Sequence, residues 1–136
     1  SSGTNIDVAL QFMTNAIKKR CSAFLISDFI DDHDYFKSMS IANRKHDLAS
    51  IQVYDRRDAE MPDVGLVRVR DLERGTDRWL DTSSSSARKA YAKAWYERQQ
   101  RLASVTARSG VDLASVTTDE DFVKALLGLF RRRGSR

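Results

Sequence analysis

The feature that most limits what this chain can become is the run Ser22-Ala23-Phe24-Leu25-Ile26-Ser27, six uncharged residues that stop on Asp28. Strand side chains alternate between two faces, so a short run with no polar alternation belongs in a parallel sheet covered by helices on both sides. The segment before it agrees. From Asn5 to Arg20 the apolar positions Ile6, Leu10, Met13 and Ile17, with Ala9 and Phe12 beside them, recur at helical spacing. Thr4 or Asn5 can cap this helix, and Lys18-Lys19-Arg20 suits the negative end of its dipole.

The same alternation continues downstream. A second helix is expected over about His33 to Lys45, with Tyr35, Phe36, Met39 and Ile41 or Ala42 inward, and a second strand over Leu48 to Tyr54. Strand, helix, strand makes a βαβ unit and an α/β fold, a Rossmann-like open parallel sheet flanked by helices. Asp55 to Pro62 interrupts the pattern, and the β runs Val64 to Val69 and Arg78 to Leu80 around Glu73-Arg74-Gly75-Thr76 predict an inserted β-hairpin over about 64–82. Ser83 to Ser86 offers an N-cap for a long helix from about Ala87 to Arg108, striped by Tyr91, Trp95, Leu102 and Val105 and ended by Ser109-Gly110. Val111 to Thr117 reads as a third parallel strand. Thr118, with Glu120 or Asp121 after it, opens a last helix bearing Phe122, Ala125, Leu126, Leu129 and Phe130. Residues 1–136 read as one domain without internal repeats.

Composition excludes several function classes. With 41% hydrophobic residues the chain supports a core, yet its apolar runs fall far short of the roughly 20 residues that cross a bilayer. No signal peptide opens it, so the expected location is cytoplasmic with no membrane partner. Cys21 is the single cysteine, which rules out an intrachain disulfide and suits a small buried residue. Charge is uneven: residues 1–86 hold 12 Lys/Arg against 14 Asp/Glu, while residues 87–136 hold 11 against 5. The basic half raises nucleic acid as a rival partner. Its cations scatter over helix faces, and only Arg131, Arg132 and Arg133 cluster, so the coherent stripe with stacking aromatics that such binding needs is missing.

Asp28 draws attention by position, since open parallel sheets bind ligands beyond the carboxyl ends of their strands. Asp31, Asp32, His33 and Asp34 share its loop, and hard oxygens suit Mg²⁺, Mn²⁺ or Ca²⁺. The plainer expectation for Asp31, Asp32 and Asp34 is solvated loop residues that favour the next helix N-terminus. His33 and His46 have no partner at ligand spacing and read as surface imidazoles. Ser2-Gly3-Thr4 is not a phosphate loop, and no G-x-S-x-G elbow surrounds Ser83 to Ser86. A metal-assisted hydrolase would have to draw its base or nucleophile from Asp31, Asp32 and His33.

Taken together, Gly3-Thr4-Asn5-Ile6 opening a helix with Ala9-Leu10, and a strand ending Leu25-Ile26-Ser27-Asp28-Phe29, resemble the second half of a von Willebrand factor A-like domain of the DUF58 type. Arg44-Lys45-His46-Asp47, Val53 through Pro62, Val64-Gly65-Leu66, Trp79-Leu80-Asp81-Thr82 and Thr118 through Phe122 extend the likeness over essentially the whole chain. The resemblance implies a metal-ion-dependent adhesion site, in which a D-x-S-x-S segment, a threonine and an aspartate hold a divalent cation. Thr4 and Asp28 match the last two, and the first is expected upstream of Ser1. Mg²⁺ or Mn²⁺ is therefore expected only with that segment present, and none on this chain alone.

The resemblance further implies that a missing strand lies beside Ala23 to Ile26. Its absence would leave an apolar edge seeking either a second copy or the missing N-terminal half. The expected function is then a non-enzymatic protein-interaction module, working with a MoxR-type AAA+ ATPase in protein assembly or remodelling. The alternatives are the metal-assisted hydrolase and nucleic-acid binding through the basic half.

Overall fold

A computed structural model describes residues 5–31, 33–71 and 76–134. In chain order the elements are α1 (Ile6–Asn15), β1 (Ser22–Ser27), α2 (Phe36–Lys45), β2 (Asp47–Tyr54), α3 (Arg56–Ala59), β3 (Leu66–Asp71), β4 (Thr76–Asp81), α4 (Ser85–Ser109), β5 (Asp112–Thr117) and α5 (Phe122–Gly134). The mixed α/β architecture with an open parallel sheet flanked by helices is thus present. β1, β2 and β5 form that sheet in the order β1-β2-β5, with Leu25 opposite Ser50 and Ile51 opposite Ala114.

Strand alternation sorts the core into two layers. On one face Leu25, Leu48 and Leu113 meet Ile6 and Leu10 of α1, Met39 and Ala42 of α2, and Leu102 of α4. On the other, Phe24, Ile51 and Val116 meet Phe122, Leu126 and Leu129 of α5. Three helices therefore cover one face and a single helix covers the other.

Helix α1 is shorter than its periodicity suggests, ending at Asn15 rather than continuing to Arg20. Its last carbonyls are taken from outside: His46 Nε2 reaches Met13 O at 2.8 Å, and Lys45 Nζ donates to Thr14 O. With its orphan acceptors satisfied by α2, the helix has nothing to gain from another turn. Lys18, Lys19 and Arg20 consequently lie beyond the helix and do not complement its dipole.

His46 itself corrects an expectation, being fully buried rather than a surface imidazole. Its Nδ1 accepts from Cys21 N at 3.1 Å, which leaves Nε2 to donate to Met13 O. One ring thus ties the end of α1 to the start of β1.

Helix α4 begins two residues before its expected start, on Ser84, whose hydroxyl accepts from Ala87 N. It ends on Gly110 at φ 72°, the left-handed turn that glycine adopts without strain. The hairpin β3–β4 is antiparallel with Val67 opposite Leu80, and its turn residues Glu73, Arg74 and Gly75 lie outside the described residues. Thr82 clasps its base: the hydroxyl accepts from Val64 N at 2.9 Å and donates to Gly65 O at 2.5 Å. No described helix is long and apolar enough to cross a membrane.

Candidate functional site

Beyond the carboxyl ends of β1 and β2 lies a cleft of about 1050 Å³. Its floor is polar, because Gln52 on β2 and Gln99 on α4 exchange amide hydrogen bonds at 2.9 and 2.6 Å, with Ser115 of β5 donating to the Gln52 carbonyl at 2.8 Å. One wall is the α4 stripe Tyr91, Trp95 and Arg98, residues four and three apart on one helix face. Tyr54, at the end of β2, stacks at a tilt on Trp95 with ring centres 5.5 Å apart. The inner face of the hairpin also lines it, where Val67 and Val69 sit with Arg78.

The third side is α3, which starts in a capping box: Asp55 accepts from Arg57 N at 2.9 Å and Asp58 accepts from Asp55 N at 3.1 Å. Both carboxylates are occupied in holding the backbone, while Arg57 between them points its charge at the cleft lining. Burial raises the Tyr91 hydroxyl above its ordinary pKa, Asp58 adds to the rise, and Arg98 partly opposes it. The described lining contains no His, Cys, Ser or Lys.

Asp28 stands at the lip of this cleft. Its Oδ1 accepts from Ile30 N at 3.1 Å, and Ser27 Oγ accepts from Phe29 N at 3.0 Å. These two turns carry Phe29 through a left-handed φ of 55° into the core, where its ring meets Tyr35. A bulky residue at positive φ is strained, and burying the ring offsets that strain.

The neighbouring acids do not join Asp28. Asp31 is not a solvated loop residue: its side chain is 2% exposed, Oδ2 accepts from Ile6 N at 3.1 Å, and Oδ1 accepts from His33 N at 2.9 Å and contacts His33 Nδ1 at 2.7 Å. Burial raises its pKa, but the His33 backbone, the His33 ring and the Ile6 N–H together outweigh this and hold it below the ordinary 3.8. Asp31 therefore serves the positive end of α1. Asp34 accepts from Phe36 N at 3.0 Å and supports α2, as expected of it, and His33 is exposed.

Thr4 and Asp32 lie outside the described residues. Among the described residues no group of three or more His, Cys, Asp or Glu gathers closely enough to hold a metal ion.

A second feature lies along β1, which carries one free edge of the three-stranded sheet as described. On the α5 face of that edge Ile26 is 52% exposed, and Phe130 leans over Phe24 edge to face at 5.5 Å while itself 55% exposed. Leu127 and Val123, one and two turns back along α5, are also exposed. Ile26, Phe130, Leu127 and Val123 thus form an apolar surface beside a strand with unpaired backbone groups. The cleft was less visible in advance than Asp28, because Arg57, Arg78 and Arg98 come from three separate elements and share no local spacing.

A family model described as "Protein of unknown function DUF58" matches residues 1–101. An uncharacterized protein of Mycobacterium avium is 27% identical over 96% of this chain and 78% of its own length. Uncharacterized proteins of Mycobacterium bovis and Mycobacterium tuberculosis are each 29% identical over 96% of this chain but only 42% of their own length. The chain therefore spans less than half of these two relatives. No solved structure matches.

Proposed function

This chain belongs to the DUF58 family, and from that premise we propose that it is a protein-interaction module that docks through the open face beside β1. The observation that carries this reading is the exposed apolar surface of Ile26, Leu127 and Phe130 next to the free β1 edge. Burying such a surface gains roughly 25 cal/mol per Å² of apolar area, and pairing the strand satisfies its backbone groups at the same time. A binding role is also compatible with the cleft, where Asp55 and Asp58 hold the α3 backbone.

The occupant proposed for this face is a second copy of the chain, its β1 pairing with this one across a two-fold axis. A von Willebrand factor A-like identity belongs to the same proposal and is supported by the parallel β1-β2-β5 order with Asp28 at a carboxyl end. Under it, Thr4 and Asp28 are this chain's contribution to a divalent site completed elsewhere, and a MoxR-type AAA+ ATPase is the first partner to try.

Size-exclusion chromatography with light scattering tests the docking face. The wild-type chain is expected to run as a dimer and Ile26→Lys as a monomer with unchanged far-UV circular dichroism. A wild-type chain that stays monomeric at high concentration sinks the reading, as does a dimer indifferent to Ile26→Lys and Leu127→Lys alike.

A further inference from the structure

The cleft above β2 shares no residue with the β1 docking face, and its charges have a pattern of their own. Five arginines line it, and three of them come from three different elements: Arg57 from α3, Arg78 from β4 and Arg98 from α4. None of the three makes an ion pair among the described residues. Arg68, by contrast, is paired with Asp77 at 3.0 Å. Asp55 and Asp58, which cap α3 on either side of Arg57, also line the cleft, and neither makes an ion pair with it among the described residues.

Arg98 adds an independent sign. Its Nε is buried and has no hydrogen-bond partner. A buried donor left unpaired costs free energy, so a bound acceptor that reaches it recovers what the free protein lacks. Arg78 is placed unusually as well, since strand alternation puts it on the inner face of the hairpin with Val67 and Leu80 rather than on the outer face with Trp79. Arg78 is exposed there, so its charge is open to an anionic group that enters the cleft.

The remaining lining narrows the occupant. Met61, Pro62, Val67, Val69 and Trp95 give the lining an apolar part, which suits aliphatic side chains rather than a sugar-phosphate backbone. Asp28, Asp55, Asp58 and Glu97 also line the cleft and would repel a polyanion at close quarters, whereas one or two carboxylates can settle among the arginines. We propose that this cleft binds an acidic peptide segment of a partner protein, its carboxylates held by Arg57, Arg78 and Arg98 and its aliphatic side chains lying on the hairpin wall. Guanidinium forks recognise carboxylates in pairs of parallel hydrogen bonds, which gives such a site directional selectivity.

Fluorescence anisotropy with labelled peptides tests this on the purified chain. The probes are a peptide alternating Glu with Leu, its Lys-for-Glu counterpart, and a single-stranded oligonucleotide. The Glu peptide is expected to bind at least roughly tenfold more tightly than the other two, because several charge-assisted hydrogen bonds form. Arg78→Ala with Arg98→Ala is expected to weaken it by roughly tenfold or more, with unchanged thermal unfolding and with Arg57→Ala giving a smaller loss in the same direction. Ile26→Lys is expected to leave peptide binding intact, so failure of the docking face and failure of this cleft are distinguishable. Equal affinity for the Glu and Lys peptides overturns the proposal. So does tighter oligonucleotide binding lost in the same arginine variants, which would assign the cleft to nucleic acid. If the double variant unfolds, Arg78→Gln alone decides: retained affinity overturns the proposal and weakened affinity supports it.

Discussion

Gln52 and Gln99 each donate to the other's carbonyl across the β2–α4 interface, closing a ring of two amide hydrogen bonds on the floor of the cleft. Gln52 is 4% exposed, so neither bond is readily replaced by water. The pair fixes the pitch of α4 over the sheet and with it the positions of Tyr91, Trp95 and Arg98.

Gln99→Ala leaves the Gln52 amide buried with one partner fewer, and the expected loss is about 1–3 kcal/mol in urea unfolding. Replacing both glutamines by leucine removes the unsatisfied groups together and is expected to recover part of that loss, although Ser115 then lacks its acceptor. A double variant less stable than Gln99→Ala alone would contradict this account.

His46→Leu keeps the bulk of the side chain but strips partners from Cys21 N and Met13 O, both beside a fully buried ring. The expected cost is roughly 2–4 kcal/mol by chemical denaturation. Amide exchange should quicken at Cys21 and at the last turn of α1 before it does at β5. Uniform acceleration across the chain would show that the ring is not the joint described.

Acid sensitivity follows from Asp31. Folding depresses its pKa, so its stabilising contribution is complete at neutral pH, begins to fade below the ordinary 3.8, and is lost as pH falls through the depressed value. Asp31→Asn is expected to be less stable at pH 7 and to show a shallower decline on acidification. Asp81, Asp119 and Glu120, exposed carboxylates held low chiefly by side-chain hydrogen bonds from Ser83 and Thr117, supply a background that persists in this variant. Parallel melting-temperature curves for the two proteins from pH 3 to pH 7 would refute the assignment.

Gly110 closes α4 in the left-handed region, and a Cβ there would sit 3.4 Å from Asn43 Nδ2. That amide donates to Ser109 O at 3.1 Å while Asn43 Oδ1 accepts from Leu48 N at 3.2 Å, so it has little freedom to yield. Gly110→Ala is expected to lower stability by about 1–2 kcal/mol. Gly65, also at positive φ but with open space around its would-be Cβ, offers a control in which backbone strain acts alone.

Much of this fold was legible because its signals are local. The uncharged run from Ser22 to Ser27 gave the strand bounds directly, and Gly110 marked the end of α4. The misreadings share a different cause. His46 and Asp31 are polar residues whose partners lie 25 to 33 positions away, and no periodicity reports a hydrogen bond across such a separation. The end of α1 was missed for the same reason, since α2 supplies what terminates it. At the candidate site, strand position points to Asp28, Thr4 lies outside the described residues, and the cleft arginines come from separate elements that share no local spacing.

The unequal covering of the sheet bears on how the chain comes apart. The face under α1, α2 and α4 gathers ten buried apolar residues, whereas the face under α5 gathers three. A layer held by so few contacts opens at a lower free energy than the rest, so warming should release α5 first while the three-helix layer still holds the strands in register. The protein would then present the whole underside of its sheet, Phe24, Ile51 and Val116, as a transient sticky surface, and whatever covers the β1 face in the cell also acts as the latch that keeps α5 shut.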